Sequence, residues 1–145
     1  MQKIKIVTVG KLKERYLEDA MQEYSKRLSR FCQFTVVELA EKNSLIEESE
    51  AILKECRGIV VVFAIEGESV SSEQFAEKMK IYKDSGREIT FVIGSSNGIA
   101  NAVKEKANVL ISLSKMTFPH QLVRVICTEQ IYRAFMINTG ATYHK

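Results

Sequence analysis

The chain has 145 residues, 46% hydrophobic and 27% charged, with a net charge of +3, a globular composition long enough to bury a full core without disulfides or a structural metal. Three widely spaced cysteines, Cys32, Cys56 and Cys127, form no CxxC pair, which speaks against a disulfide framework or a zinc site and leaves no metal expected. No window approaches the ~20 consecutive apolar residues of a membrane span, and MQKIKIVTVG lacks the pattern of a signal peptide, so the expected setting is the cytoplasm, with no membrane partner.

KIKIVTVG opens as a strand ending at Gly10. KERYLEDAMQEYSKRL follows as a helix whose apolar stripe comprises Tyr16, Leu17, Ala20, Met21, Tyr24 and Leu28. QFTVVEL is a second strand, and Ser44 starts a helix to about Cys56, with Glu47 placed to complete a capping box. GIVVVFAI is continuously apolar from Ile59 to Ile65, the mark of a strand buried on both faces and the expected centre of a parallel sheet. Ser71 and Ser72 precede a helix through about Tyr82; EITFVIG is a fourth strand stopping at Gly94; SSNGIANAVKEKA is a loop and helix; VLISL is a fifth strand. A last helix runs from about Pro119 to Asn138.

Strands alternating with helices, without a long linker, predict one doubly wound α/β domain over residues 1–145 with a mostly parallel sheet of five to six strands. Ligands in such sheets sit beyond the carboxyl ends of the strands, here the turns after Phe63, Gly94 and Leu113. The last helix is apolar almost all round, from Leu122 and Val123 to Met136 and Ile137. It must be buried on more than one side, within its own domain or against a second copy. Charge is unevenly spread: residues 1–30 and 86–145 are each +4 and residues 31–85 are −5, which suits one face turned to a polyanion, although such runs more commonly just keep a face solvated.

The turn GSSNG at 94–98 is neither a GxGxxG fingerprint nor a P-loop; on its own it reads first as a plain strand-to-helix turn, and second as one whose glycines let backbone approach a ligand. In SKMTFPHQ, Pro119, the only proline, suits the first turn of a helix and Thr117 can cap it. The same helix N-terminus disfavours imidazolium, so His120 is either a plain capping residue or a group able to relay a proton. Glu129 and Arg133 stand i, i+4 and can pair on the helix, whereas Arg124 projects from another side and needs a carboxylate or phosphate partner. Tyr143, His144 and Lys145 read as a frayed tail or as a group that stacks on a base and meets a phosphate.

The run ISLSKMTFPHQLVRVICTEQIYRAFMINTGATYHK, with KIKIVTVGKLKERYLEDAMQEYSKRL, AIEGESVSSEQFA and FVIGSSNGI before it, resembles the bacterial large-subunit rRNA pseudouridine N3-methyltransferases, the H family within the SPOUT or α/β-knot methyltransferases, over the whole chain. The resemblance implies a carboxyl-terminal deep trefoil knot, a homodimer, S-adenosylmethionine as methyl donor, and methylation of N3 of a pseudouridine in 23S rRNA of the large subunit or assembled ribosome. It implies cofactor contacts at Phe63, Gly94, Leu113, Ser114, Lys115, Met116, Thr117 and Phe118, the strand ends that the sheet rule selects. Around the target base it implies His120, Arg124, Glu129, Tyr143 and His144, with the tail reaching the partner's cofactor site. The chain departs from the family pattern at Ser95, commonly Gly, and at Thr142, commonly Pro. The competing readings are a SPOUT enzyme acting on tRNA or another rRNA site, and a noncatalytic RNA-binding module of the same fold.

Overall fold

A computed structural model describes residues 1–145. The elements follow in the order β1 (Lys3–Val9), α1 (Arg15–Leu28), β2 (Gln33–Leu39), α2 (Leu45–Glu55), β3 (Ile59–Ser69), α3 (Ser72–Asp84), β4 (Ile89–Ile93), α4 (Asn101–Lys106), β5 (Val109–Ser112) and α5 (His120–Asn138). The five strands are all parallel, in the order β2-β1-β4-β3-β5. Strand period two then sorts the side chains. Ile4, Ile6, Ile59, Val61, Phe63, Phe91 and Ile111 join the core under α1, α3 and α5, and Val7, Val9, Val60, Val62 and Val92 the one under α2 and α4.

The centre of the sheet is β4, with β3 beside it, which differs from the expectation drawn from the apolar run of β3. Thr90 disguises the short segment ITFVI as less apolar than it is. Its buried hydroxyl donates to the Arg57 carbonyl at 2.8 Å and accepts from the Arg57 amide at 3.0 Å, so both polar needs are met inside the protein. Strand β3 also runs four residues past the expected end at Ile65. Its pairing with β5 shifts register between Phe63 and Glu68, and Ile65 in that excursion is 57% exposed.

Local chemistry sets the helix starts. The Ser71 hydroxyl accepts from the Gln74 amide while the Gln74 side chain accepts from the Ser71 amide, a reciprocal box at the head of α3. Ser44 caps α2 by accepting from the Glu47 amide. Thr117 does not cap α5: Pro119 occupies the N-cap position, and no side chain supplies the cap bond. Tyr16, placed on the α1 stripe by periodicity, is 68% exposed, because α5 covers the neighbouring line of Leu17, Met21, Tyr24 and Leu28.

Helix α5 is enclosed by α1 on one side and α3 on the other. Phe135 stacks on Phe31 with centroids 5.3 Å apart, Tyr132 lies 6.3 Å from Tyr24, and the Asn138 side-chain amide donates to the Ala76 carbonyl at 3.0 Å. Leu122 is the exposed large apolar side chain of α5, and Val125, Ile126 and Glu129, at i+3, i+4 and i+7 from it, are half-buried. Phe135 therefore belongs to the core, whereas Ile126 is only half-buried.

Candidate cofactor pocket and carboxyl-terminal cluster

The carboxyl ends of β3, β4 and β5 enclose a cavity of about 280 Å³ that also meets the first turn of α5. Phe63, Gly94, Leu113, Ser114, Met116, Thr117 and Phe118 line it; Lys115 is exposed and does not. His120 lines it too, so that residue stands beside the turns that follow Phe63, Gly94 and Leu113. Walls that the sequence did not disclose come from Ala64 to Glu66 on the β3 excursion, from Ser95, Gly98 and Ile99, from Lys104 on α4 and from Val123 on α5.

Two backbone segments shape this cavity. In the 94–98 turn a side chain on Gly94 would come within 2.4 Å of Ile99 Cγ1 and 2.5 Å of the Gly98 carbonyl oxygen, so only hydrogen fits. Gly98 has φ +89°, a left-handed conformation that L side chains rarely adopt. The second segment, 113–118, makes no bond to other backbone; Ser112 Oγ donates to the Ser114 carbonyl at 3.1 Å, and Ser114 Oγ accepts from the Met116 amide at 3.0 Å. Its remaining amides and carbonyls are available to a ligand edge. Glu66 and Lys104, which both line the cavity, form an ion pair.

A second cavity of about 200 Å³ shares Phe63, Leu113 and Phe118 with the first and extends between α3 and α5 to Ser72 and Gln130, whose side chains are bonded at 2.7 Å.

The residues expected around a target base fall in three places. His120 is at the cavity. Arg124 is 1% exposed; its guanidinium pairs with Glu38 and donates to the Gly10 carbonyl at 2.8 Å, holding the first turns of α5 to the ends of β1 and β2. Its required carboxylate thus comes from its own chain. Glu129, Tyr143 and His144 form a third group. Glu129 accepts from Arg133 at 2.8 and 3.2 Å and from the Tyr143 hydroxyl at 2.7 Å, Arg133 lies 4.8 Å over the Tyr143 ring, and Tyr143 meets Tyr132 edge-on at 5.0 Å.

The tail is therefore folded back on α5. Burial and the Glu129 carboxylate push the Tyr143 phenol well above its ordinary range, so it acts as a hydrogen-bond donor and not as a phenolate. His144 accepts from Arg133 at Nδ1 (3.0 Å) while Nε2 faces Glu73, whose carboxyl that contact holds below its usual range. Along α5, Glu129 lies about 14 Å and Arg133 about 20 Å from His120 at 1.5 Å per residue. None of Glu129, Arg133, Tyr143 and His144 lines the cavity of its own chain.

No three His, Cys, Asp or Glu side chains are grouped so as to hold a metal ion, and no helix is long and apolar enough to cross a membrane. Burial raises the Cys32 thiol to about 12 and pushes the Cys127 thiol well up, so neither is a reactive thiolate.

Residues 2–144 match the family model described as "Predicted SPOUT methyltransferase". Ribosomal RNA large subunit methyltransferase H of Caldicellulosiruptor saccharolyticus is 48% identical over 98% of this chain and 99% of its own length. Its counterpart in Streptococcus uberis is 47% identical over 99% of both chains. Among solved structures, the SpoU methyltransferase AviRb from Streptomyces viridochromogenes, in complex with the cofactor AdoMet, shares the fold with a TM-score of 0.53 at 10% identity, over 93% of this chain and 58% of that one.

Proposed function

We propose that this chain, which belongs to the SPOUT methyltransferase family, is the enzyme that methylates N3 of a pseudouridine in 23S rRNA, with S-adenosylmethionine as donor and the large subunit or assembled ribosome as substrate. The observation that carries this reading is the cavity itself: seven of the eight cofactor positions drawn from the family resemblance line one pocket at the carboxyl ends of β3, β4 and β5. The pocket fits the group. Gly94 leaves room only for backbone, the 113–118 loop offers free amides and carbonyls to an adenine edge, and Leu113, Phe118 and Ile99 give apolar walls. Glu66 and Lys104 suit the ribose hydroxyls and the amino-acid end.

When bound, the cofactor supplies a sulfonium methyl already activated for transfer. The chain's task is then to align a base and manage its N3 proton. His120 is at the pocket and can relay a proton there. Glu129, Tyr143 and His144 serve the base from the tail, and their distance from their own pocket supports a homodimer in which each tail reaches the partner's site. Leu122, exposed on α5, with the half-buried Val125 and Ile126 one turn on, is the face assigned to that contact. The whole chain acts as one α/β-knot domain, in the cytoplasm.

The purified protein should methylate ribosomes that lack the modification, and nucleoside mass mapping should find the methyl on N3 of one pseudouridine; methyl recovered only in tRNA would refute the substrate assignment. For the dimer, Ile126→Glu introduces a charge into the proposed contact. Sedimentation should give a folded monomer with methyl transfer reduced at least tenfold, about the effect of ~1.4 kcal/mol. A fully active Ile126→Glu dimer would rule out this face.

A further inference from the structure

We infer that Glu48, on a helix that contributes nothing to the pocket wall, positions the cofactor turn at 94–98. The inference rests on reading that pocket as the S-adenosylmethionine site. Glu48 is 3% exposed, and both its oxygens are engaged. Oε1 accepts from the Ser95 hydroxyl at 3.0 Å, and Oε2 accepts from the Lys42 amide at 3.1 Å. The Ser95 hydroxyl in turn accepts from the Asn97 amide at 3.1 Å, and the Ser95 carbonyl accepts from the Gly98 amide at 2.9 Å. A carboxylate on α2 thus fixes one side chain, and that side chain fixes the rest of the turn.

The chemistry explains why a charged residue is kept in a buried place. An ionised acceptor makes stronger bonds than a neutral one, and two neutral donors meet it from loops that no other side-chain bond joins: β2 to α2 at Lys42, and β4 to α4 at Ser95. The turn so held has Gly94 and Gly98 in the pocket wall and Ile99 packed over Gly94. Loss of the carboxylate frees the Ser95 hydroxyl to rotate and lets the turn sample conformations in which Gly94 no longer presents its backbone to the ligand. Glu48 acts through Ser95 and touches no reacting atom, so it is a positioning residue.

The test compares the full-length protein with Glu48→Ala, Ser95→Ala, Glu48→Gln and Ile52→Ala. Ile52 is equally buried one turn along α2 and bonds to nothing in the 94–98 turn, so its truncation reports what loosening the packing under α2 does while the carboxylate's bonds stay in place. Calorimetry with S-adenosylmethionine should show Kd raised about tenfold or more for Glu48→Ala and Ser95→Ala, with KM for the cofactor rising in step and kcat at saturation changing less. The effects of the two should not add in the double variant. Glu48→Gln, which keeps an acceptor and gains a donor, should recover most of the affinity, and Ile52→Ala should lower the melting temperature while sparing Kd. Amide exchange at Asn97 and Gly98 should quicken in Glu48→Ala with no cofactor present. Unchanged exchange, or an equal loss of affinity in Ile52→Ala, would overturn the positioning role. If the unmutated protein itself failed to bind S-adenosylmethionine while exchange still quickened, the pocket assignment would be what had failed, and the role in cofactor binding would fall with it.

Discussion

Deleting residues 143–145 should lower methyl transfer to ribosomes by at least ~10²-fold, the usual cost of removing one positioned acid-base group, while S-adenosylmethionine affinity persists. The tail makes its bonds to Glu129, Arg133 and Glu73, none of which lines the pocket, so cofactor binding has no direct reason to change. What is lost is a phenol held protonated by burial and by Glu129, and an imidazole whose two nitrogens are already engaged between a guanidinium and a carboxylate. The edge-on contact with Tyr132 also disappears, for about 0.5–1.5 kcal/mol of stability, too little to unfold the domain. Tyr143→Phe separates the parts: it keeps the ring contact and removes only the donor to Glu129. Wild-type turnover by the truncated protein would make the tail a structural end and leave His120 as the remaining candidate at the pocket.

Gly94→Val should abolish measurable cofactor binding, raising Kd by ~100-fold or more, a loss of about 2.7 kcal/mol. The reason is more severe than a side chain entering ligand space. A Cβ at this position would stand 2.5 Å from the Gly98 carbonyl oxygen and 2.4 Å from Ile99 Cγ1, so the turn itself must move. Backbone cannot yield as a flexible side chain does, and overpacking of this kind costs about 1–3 kcal/mol of stability. The variant should fold with a lowered melting temperature and titrate without heat in calorimetry. An unaltered Kd in a folded Gly94→Val protein would remove the 94–98 turn from the site.

The elements were legible because each carries its period, two for the strands and 3.6 for the helices, and the breaks fall at Gly10, Gly94 and Pro119. What periodicity misjudged was tertiary. Thr90 made the central strand look less buried than it is, because its hydroxyl partners lie 33 positions away at Arg57. Tyr16 fits the α1 stripe by angle yet lies outside the area that α5 covers. The pocket was legible in outline, since parallel sheets place ligands beyond their strand ends. Glu48, Glu66 and Lys104 were not, because no local motif links a residue on α2 to a turn after β4, or one on the β3 excursion to α4. Arg124 announced its need for an anion but not that Glu38 would meet it. The expectation of a trefoil knot rests on the family resemblance alone, because threading leaves no periodic trace in a sequence, and that of a second copy on the resemblance together with the apolar circumference of the last helix.

The strand order has a consequence for how the chain is made. Strand β4, the middle of the sheet, emerges fourth and must enter between β1 and β3, pairing Ile4 with Ile89 and Ile59 with Ile89. Until it arrives, β1 and β2 can pair locally, but β1 and β3 each present an apolar edge with unsatisfied amides and carbonyls. Closing contacts of such sequence separation is slow, since chain entropy is lost before burial repays it. A nascent chain stopped short of residue 93 holds every strand of the amino-terminal half and cannot complete the sheet, which makes the interval before β4 leaves the exit tunnel the one in which this protein is most open to aggregation.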